Sequence, residues 1–256
     1  LFRVEFVAPE NASFSSFQCN LLFQMQESHS SVSDGLRLCQ LLPNDFNAVM
    51  EYLVNQFIPH EPLAKAIAMT AEDAWSMNEE VVKAALSSSL SYAFRTCTDE
   101  IVAVRLCSTV ERPTGDEISG VFSDIDSTSK SKMTHLPRSA YEVTRILSAL
   151  ESQTWRQLAP EVRSLMSLLI ISTHEQYLRR GLMKKLLNVD EEQLKHKGIQ
   201  GVITEATAFK SQALLKKHGY KMLYEIKHDE WLDSDGKPIF KCTDGTNSAQ
   251  LLFKKF

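Results

Sequence analysis

Apolar residues change their spacing several times along the chain, and each change marks an element. Leu36 to Leu41 reads as a short strand. Pro43-Asn44-Asp45 then opens a helix in which Phe46, Val49, Met50, Leu53 and Phe57 share a face, expected to stop before Pro59. A second helix is predicted from Ala71 to Ser88, with Glu79, Glu80 and Lys83 outward. Leu90 to Cys97 and Ile101 to Val110 flank Thr98-Asp99-Glu100 as a β-hairpin. Pro137-Arg138 starts another helix, since Val143, Ile146, Leu147 and Leu150 fall on one face. From Leu169 to Leu187 a β-branched run passes through a short polar turn into an apolar-basic helix. GVITEA then predicts a strand, FKSQALLKKHGY a helix closed by Gly219, and YKMLYEI and AQLLFKKF the last strands.

This order predicts an α/β fold around a mixed sheet in residues 36–256, preceded by an appendage, residues 1–35, with at most one strand at Leu1 to Val7. Residues 111–137, rich in Ser, Thr, Asp, Lys and Gly, are expected to be a mobile loop within the domain.

Composition narrows the function classes. The 43% apolar content suffices for a sizeable core, and a net charge of −4 argues against general nucleic-acid binding, which needs a basic excess. Five widely spaced cysteines suggest reduced core residues and a reducing compartment. No apolar run approaches the roughly 18 residues of a membrane span. The start, LFRVEFVAPEN, is too short and acidic for a signal peptide, so a cytoplasmic protein without membrane attachment is expected, as a monomer. The missing initial Met predicts that an upstream residue or segment is absent. His174, His196 and His218 lack metal-ligand spacing, and Cys97 and Cys107 lack a His partner pattern, so neither a metal site nor a cysteine nucleophile is expected.

The chemistry concentrates after Leu169. A helix start that follows a strand presents unpaired N–H groups and a positive dipole end, and Arg179 and Arg180 beside it suit a phosphate ester. There is no GxxxxGK[ST], and Gly181 stands alone, which excludes a Walker loop and a dinucleotide fingerprint.

Here the chain resembles the GNAT superfamily of acyl-CoA-dependent N-acyltransferases, whose signature is Q/R-x-x-G-x-G/A. The matching run is Tyr177-Leu178-Arg179-Arg180-Gly181-Leu182-Met183, with Leu178 and Met183 departing from it. FIPHEPLAKAI, EATAFKSQALLKKHGY and GTNSAQLLFKKF are similar to segments of insect-type arylalkylamine N-acetyltransferases, in the same order. The resemblance implies the GNAT fold, a mixed, mostly antiparallel sheet with helices on both faces. It also implies acetyl transfer from acetyl-CoA to the primary amine of a small arylalkylamine.

By the same resemblance Ile171, Ser172 and Thr173 pair with the pantetheine, and Leu178, Arg179, Arg180, Gly181, Leu182 and Met183 hold the pyrophosphate. Glu61 is the candidate general base, the alternative being a loop glutamate or helix-start charge. Ser211 is the candidate acid, with Thr207 four residues before it on one helix face positioning water or substrate. His60 either tunes Glu61 or is simply exposed. The rival functions are a polyamine, agmatine or other alkylamine acyltransferase, and a non-catalytic acyl-CoA-binding protein.

Overall fold

A computed structural model describes residues 35–114 and 135–256. The expected strand at Leu1 to Val7, the appendage but for Gly35, and most of the 111–137 loop lie outside them. Seven strands form one sheet in the order β1-β2-β3-β4-β5-β7-β6. They are β1 (Arg37–Gln40), β2 (Tyr92–Arg95), β3 (Ile101–Glu111), β4 (Ser164–Thr173), β5 (Gly201–Ala206), β6 (Lys221–Lys227) and β7 (Ser248–Lys255). Every neighbouring pair is antiparallel except β4 and β5.

Helices cover both faces because the strands alternate two apolar sets. On one face lie α1 (Phe46–Tyr52), α2 (Pro62–Ala66), α3 (Ala71–Ser87), α4 (Arg138–Glu151) and the short α5 (Thr154–Gln157). Met50, Leu53, Val82 and Leu86 pack there on Val104 and Leu106, while Val143, Ile146 and Leu150 pack on Leu165, Ile203 and Leu251. The other face carries α6 (Leu182–Leu187), α7 (Glu191–His196) and α8 (Phe209–Lys217). From these, Leu187, Leu194 and Leu215 meet Met166, Leu168, Val202 and Leu252.

Three local expectations are corrected. The first helix does not stop before Pro59: a π-turn, Leu53–Phe57, and a 3₁₀ turn, Ile58–His60, carry the chain on. Pro59 sits in the first positions of that turn, where its missing N–H costs nothing. The connection from β4 to α6 takes in residues 174–181 and a 3₁₀ turn of its own, Glu175–Tyr177, so it is longer than a few-residue turn. Finally, Thr207 precedes α8, whose N-cap is Ala208, so Thr207 and Ser211 do not share a helix face.

Two features place the site. Buried Arg105 on β3 grips buried Asp190 with both guanidinium ends, at 2.8 and 2.7 Å, and donates to the Leu186 and Leu90 carbonyls. That ties the end of α6 to the sheet. The parallel pairing of β4 and β5 spans only Met166↔Val202 and Ser167↔Ile203. The Thr204 hydroxyl still bonds the Leu168 carbonyl at 2.7 Å, but beyond it β4 stays with β3 as far as Thr173↔Ala103, and β5 with β7 as far as Ala206↔Gln250. The sheet therefore splits into a wedge at the carboxyl ends of its two central strands, where α/β folds place ligands. Among the described residues, no helix is long and apolar enough to cross a membrane, and no group of three or more His, Cys, Asp or Glu is placed to hold a metal ion.

Candidate active site

Glu61 follows directly on the π- and 3₁₀ turns, where the backbone returns to an extended conformation (φ −77°, ψ 123°). It caps α2: its Oε2 accepts the Ala64 N–H at 2.6 Å. One oxygen is enough for a cap. The other, Oε1, is buried and has no partner, although the residue is only 8% exposed. Burial raises the Glu61 pKa, the Ala64 N–H, the Thr207 hydroxyl and the Leu63 N–H each offset part of this, and the Asp244 charge adds to it. Thr207 thus stands beside the carboxylate without closing a hydrogen bond onto Oε1. Glu61 is both the helix-start charge and a carboxylate with a free, desolvated oxygen.

Ser211 lies in the first turn of α8, partly exposed, and makes no hydrogen bond to Glu61 or Thr207 among the described residues. His60, one residue before Glu61, is exposed. The structure brings Glu61 and Thr207 together and leaves Ser211 and His60 apart from that contact.

Ile171, Ser172 and Thr173 occupy β4 beyond its last pairing with β5, so the backbone edge facing the wedge has no strand partner there. The Tyr52 hydroxyl meets the Ser172 Oγ at 3.2 Å, and burial pushes the phenol up to about 12, so it stays protonated. Thr173 Oγ1 is buried without a partner.

Past the wedge, Arg179 (φ 63°) and Gly181 (φ 73°) are both left-handed. Left-handed residues alternating with right-handed ones are the backbone pattern that forms anion-binding concavities in proteins. Leu178 is exposed and supplies only backbone to this turn. Arg180 stacks on the Tyr177 ring at 4.7 Å. Leu182 is buried against Phe94 and Ala103, and Met183 packs partly into the cluster of Leu187 and Leu252, so neither side chain fills the turn.

Other residues were not singled out from sequence. Glu205 on β5 shares a strand face with Ile203, and its carboxyl is pushed up to about 8 by burial and by repulsion from Glu151 at the end of α4. Burial raises Glu151 as well. A carboxylate at an inward position of GVITEA was the signal available. Cys242, His228 and Asp244, in the segments around β6 and β7, gave none, because nothing in their spacing leads to Glu61.

A mostly antiparallel sheet that splits beside its one parallel pair is the arrangement of the GNAT fold. No family model and no curated protein matches the chain. Among solved structures it is similar to arylalkylamine N-acetyltransferase 2 from Aedes aegypti, with a TM-score of 0.71, 21% identity, and 87% of this chain and 99% of that one covered. A Drosophila melanogaster polyamine N-acetyltransferase that forms N-acetylagmatine gives a TM-score of 0.70, 17% identity and coverage of 86% and 100%. An agmatine N-acetyltransferase mutant gives 0.71, 17%, and 87% and 100%. The chain has the fold of these insect-type N-acetyltransferases.

Proposed function

We propose that this chain is an acetyl-CoA-dependent N-acetyltransferase acting on small primary amines, with Glu61 as general base. The observation that carries the reading is the free, buried Oε1 of Glu61, beside Thr207 at the end of β5. An alkylammonium has a pKa of about 10, so it must lose a proton before its nitrogen can attack a thioester. A buried carboxylate first attracts the cation and then accepts that proton, and a raised pKa makes it the stronger base.

Acetyl-CoA supplies the thioester. The unpaired β4 edge at Ile171 to Thr173 fits the pantetheine amides, and the turn from Leu178 to Met183 fits the diphosphate. A β4 N–H polarises the thioester carbonyl. Ser211 is the proposed proton donor to the departing thiol, with Thr207 holding substrate or water against Glu61. The amine is first an arylalkylamine, following the resemblance.

One observation favours a second reading. Glu205 and Glu151 repel one another, and neither has an ion-pair partner among the described residues. Such a pair suits the second positive charge of a diamine or guanidino-amine. Thiol release from acetyl-CoA with tyramine, tryptamine, agmatine and spermidine tests both readings. Turnover of the aromatic amines supports the first, turnover confined to agmatine and spermidine the second, and CoA binding without turnover on any amine sinks the enzymatic reading.

A further inference from the structure

We infer that Cys242 and His228 form a positioning pair for the base, acting on Glu61 through the carbonyl of Pro62; this rests on the role proposed for Glu61. His228 follows β6 directly, and its N–H bonds the Asn247 carbonyl at 2.9 Å, just ahead of β7. The residue is 4% exposed, and its ring packs on Phe240, with centroids 5.8 Å apart. Burial lowers its pKa, so the imidazole is neutral at pH 7 and carries one N–H and one lone pair. Its Nδ1 faces the Cys242 Sγ at 3.7 Å, while Nε2 is buried and has no partner.

Cys242 is partly buried. Its thiol is pushed up to about 11 by burial and by the charges of Asp244 and Glu61, so at neutral pH it keeps its hydrogen. That hydrogen has an acceptor, the Pro62 carbonyl at 3.5 Å from the sulfur. With the thiol hydrogen so engaged, the contact with His228 closes when Nδ1 holds the imidazole proton and donates to sulfur. Nε2 makes no hydrogen bond in either role, and the Thr246 carbonyl beside the ring, with the charges of Asp229 and Asp244, offsets part of the effect of burial on the imidazole. The chain of bonds therefore runs His228 Nδ1–H to Cys242 Sγ, and Cys242 S–H to Pro62 O.

Pro62 is the residue after Glu61 and the first of α2. Its carbonyl belongs to the peptide shared with Leu63, whose N–H is one of the two backbone groups that favour the Glu61 carboxylate, so holding the carbonyl holds that N–H toward the acid and, with the Ala64 cap, sets the direction of Oε1. The charged or titratable groups facing this pair are Glu61 before α2, Asp244 ahead of β7, and Asp229 after β6. All three are acids, so no cation there competes for the carboxylate.

The test uses the full chain and compares Cys242→Val, which keeps volume without a donor, with Cys242→Ser, which keeps a donor. His228→Leu is compared with His228→Asn, whose amide N–H replaces Nδ1–H. Expected for Cys242→Val and His228→Leu is a fall in kcat of about ten- to a hundredfold at nearly unchanged KM for both substrates. The acid limb of the kcat/KM profile should also move to lower pH, because a loosened Glu61 is better solvated. Serine and asparagine should restore both.

Loss of kcat in the serine and asparagine variants equal to that in valine and leucine, at matched melting temperature, overturns the proposal. So does a wild-type kcat and pH profile in all four. A dead Glu61→Gln beside a normal Cys242→Val removes this pair and leaves the base standing. An active Glu61→Gln removes the base itself. If the valine variant does not fold, His228→Leu against His228→Asn decides: a displaced acid limb in the leucine variant alone upholds the pair, and a wild-type limb in both or a displaced limb in both overturns it.

Discussion

Two buried ionic sites lie on the central strands and their neighbours, and they differ in how their partners add up. Arg105 and Asp190 meet bidentately, and the guanidinium also donates to two backbone carbonyls and stacks on Tyr92 at 5.1 Å. Only Nε is left over. Glu61 has no ion-pair partner among the described residues: one oxygen is spent on a cap, the other makes no hydrogen bond, and the Thr207 hydroxyl stands beside the carboxyl. A buried charge that is matched holds a fold in register; a buried charge left short of partners is available to something that arrives.

The largest effect separating the two is on turnover. Glu61→Gln keeps the cap oxygen and removes the base, so kcat/KM for acetyl transfer should fall by about 10²- to 10⁴-fold with little change in melting temperature. Equal losses of activity and stability would assign Glu61 to the same class as Asp190.

Next in size is the structural pair. Asp190→Asn leaves the Arg105 charge buried and uncompensated, and denaturant unfolding should show a loss of about 3 to 5 kcal/mol. Activity should survive in the fraction that folds. A near-neutral outcome would mean that water reaches Arg105, against its complete burial.

Smaller again is the proton supply to the thiol. Ser211→Ala should lower kcat about tenfold or more at constant KM for acetyl-CoA, while Thr207→Val, which removes the hydroxyl beside Glu61, should shift the acid limb upward because that hydroxyl favours the carboxylate. If only Thr207→Val changes kcat, the acid role passes from Ser211 to the residue that the structure places in contact with the base.

The same contrast explains what could be read from sequence. Local signals were legible. The alternation of β2 and β3 around Thr98-Asp99-Glu100, the apolar face of α4, the strand GVITEA and the left-handed Gly219 all correspond to elements where expected. Hydrogen-bond period inside a helix was not, because the π- and 3₁₀ turns from Leu53 to His60 keep the same apolar face while changing their pitch. Nonlocal partners were not legible either. Arg105 and Asp190 are 85 positions apart, Cys242 and Pro62 are 180 apart, and the wedge exists only because β4 and β5 keep different neighbours. Glu61 was marked by its EPL context, but its free oxygen is a fact of packing.

The smallest effect concerns Glu205, which stands between the two kinds of site: half-buried on β5, and without an ion-pair partner among the described residues. Burial and the neighbouring Glu151 push its carboxyl up to about 8 in the folded protein, against an ordinary value near 4.3 when unfolded. The folded state therefore binds the proton more tightly, and stability falls as pH rises between those two values. Since the side chain keeps some contact with water, the loss should be on the order of 1 kcal/mol, well short of the full shift. Glu205→Gln should flatten melting temperature against pH across this window and gain most over wild type near pH 8. On the diamine reading, the same variant should lose selectivity for agmatine over tyramine, since the amide carries no charge for the second cation. A flat wild-type profile, with selectivity unmoved, would make Glu205 a satisfied core residue like Asp190.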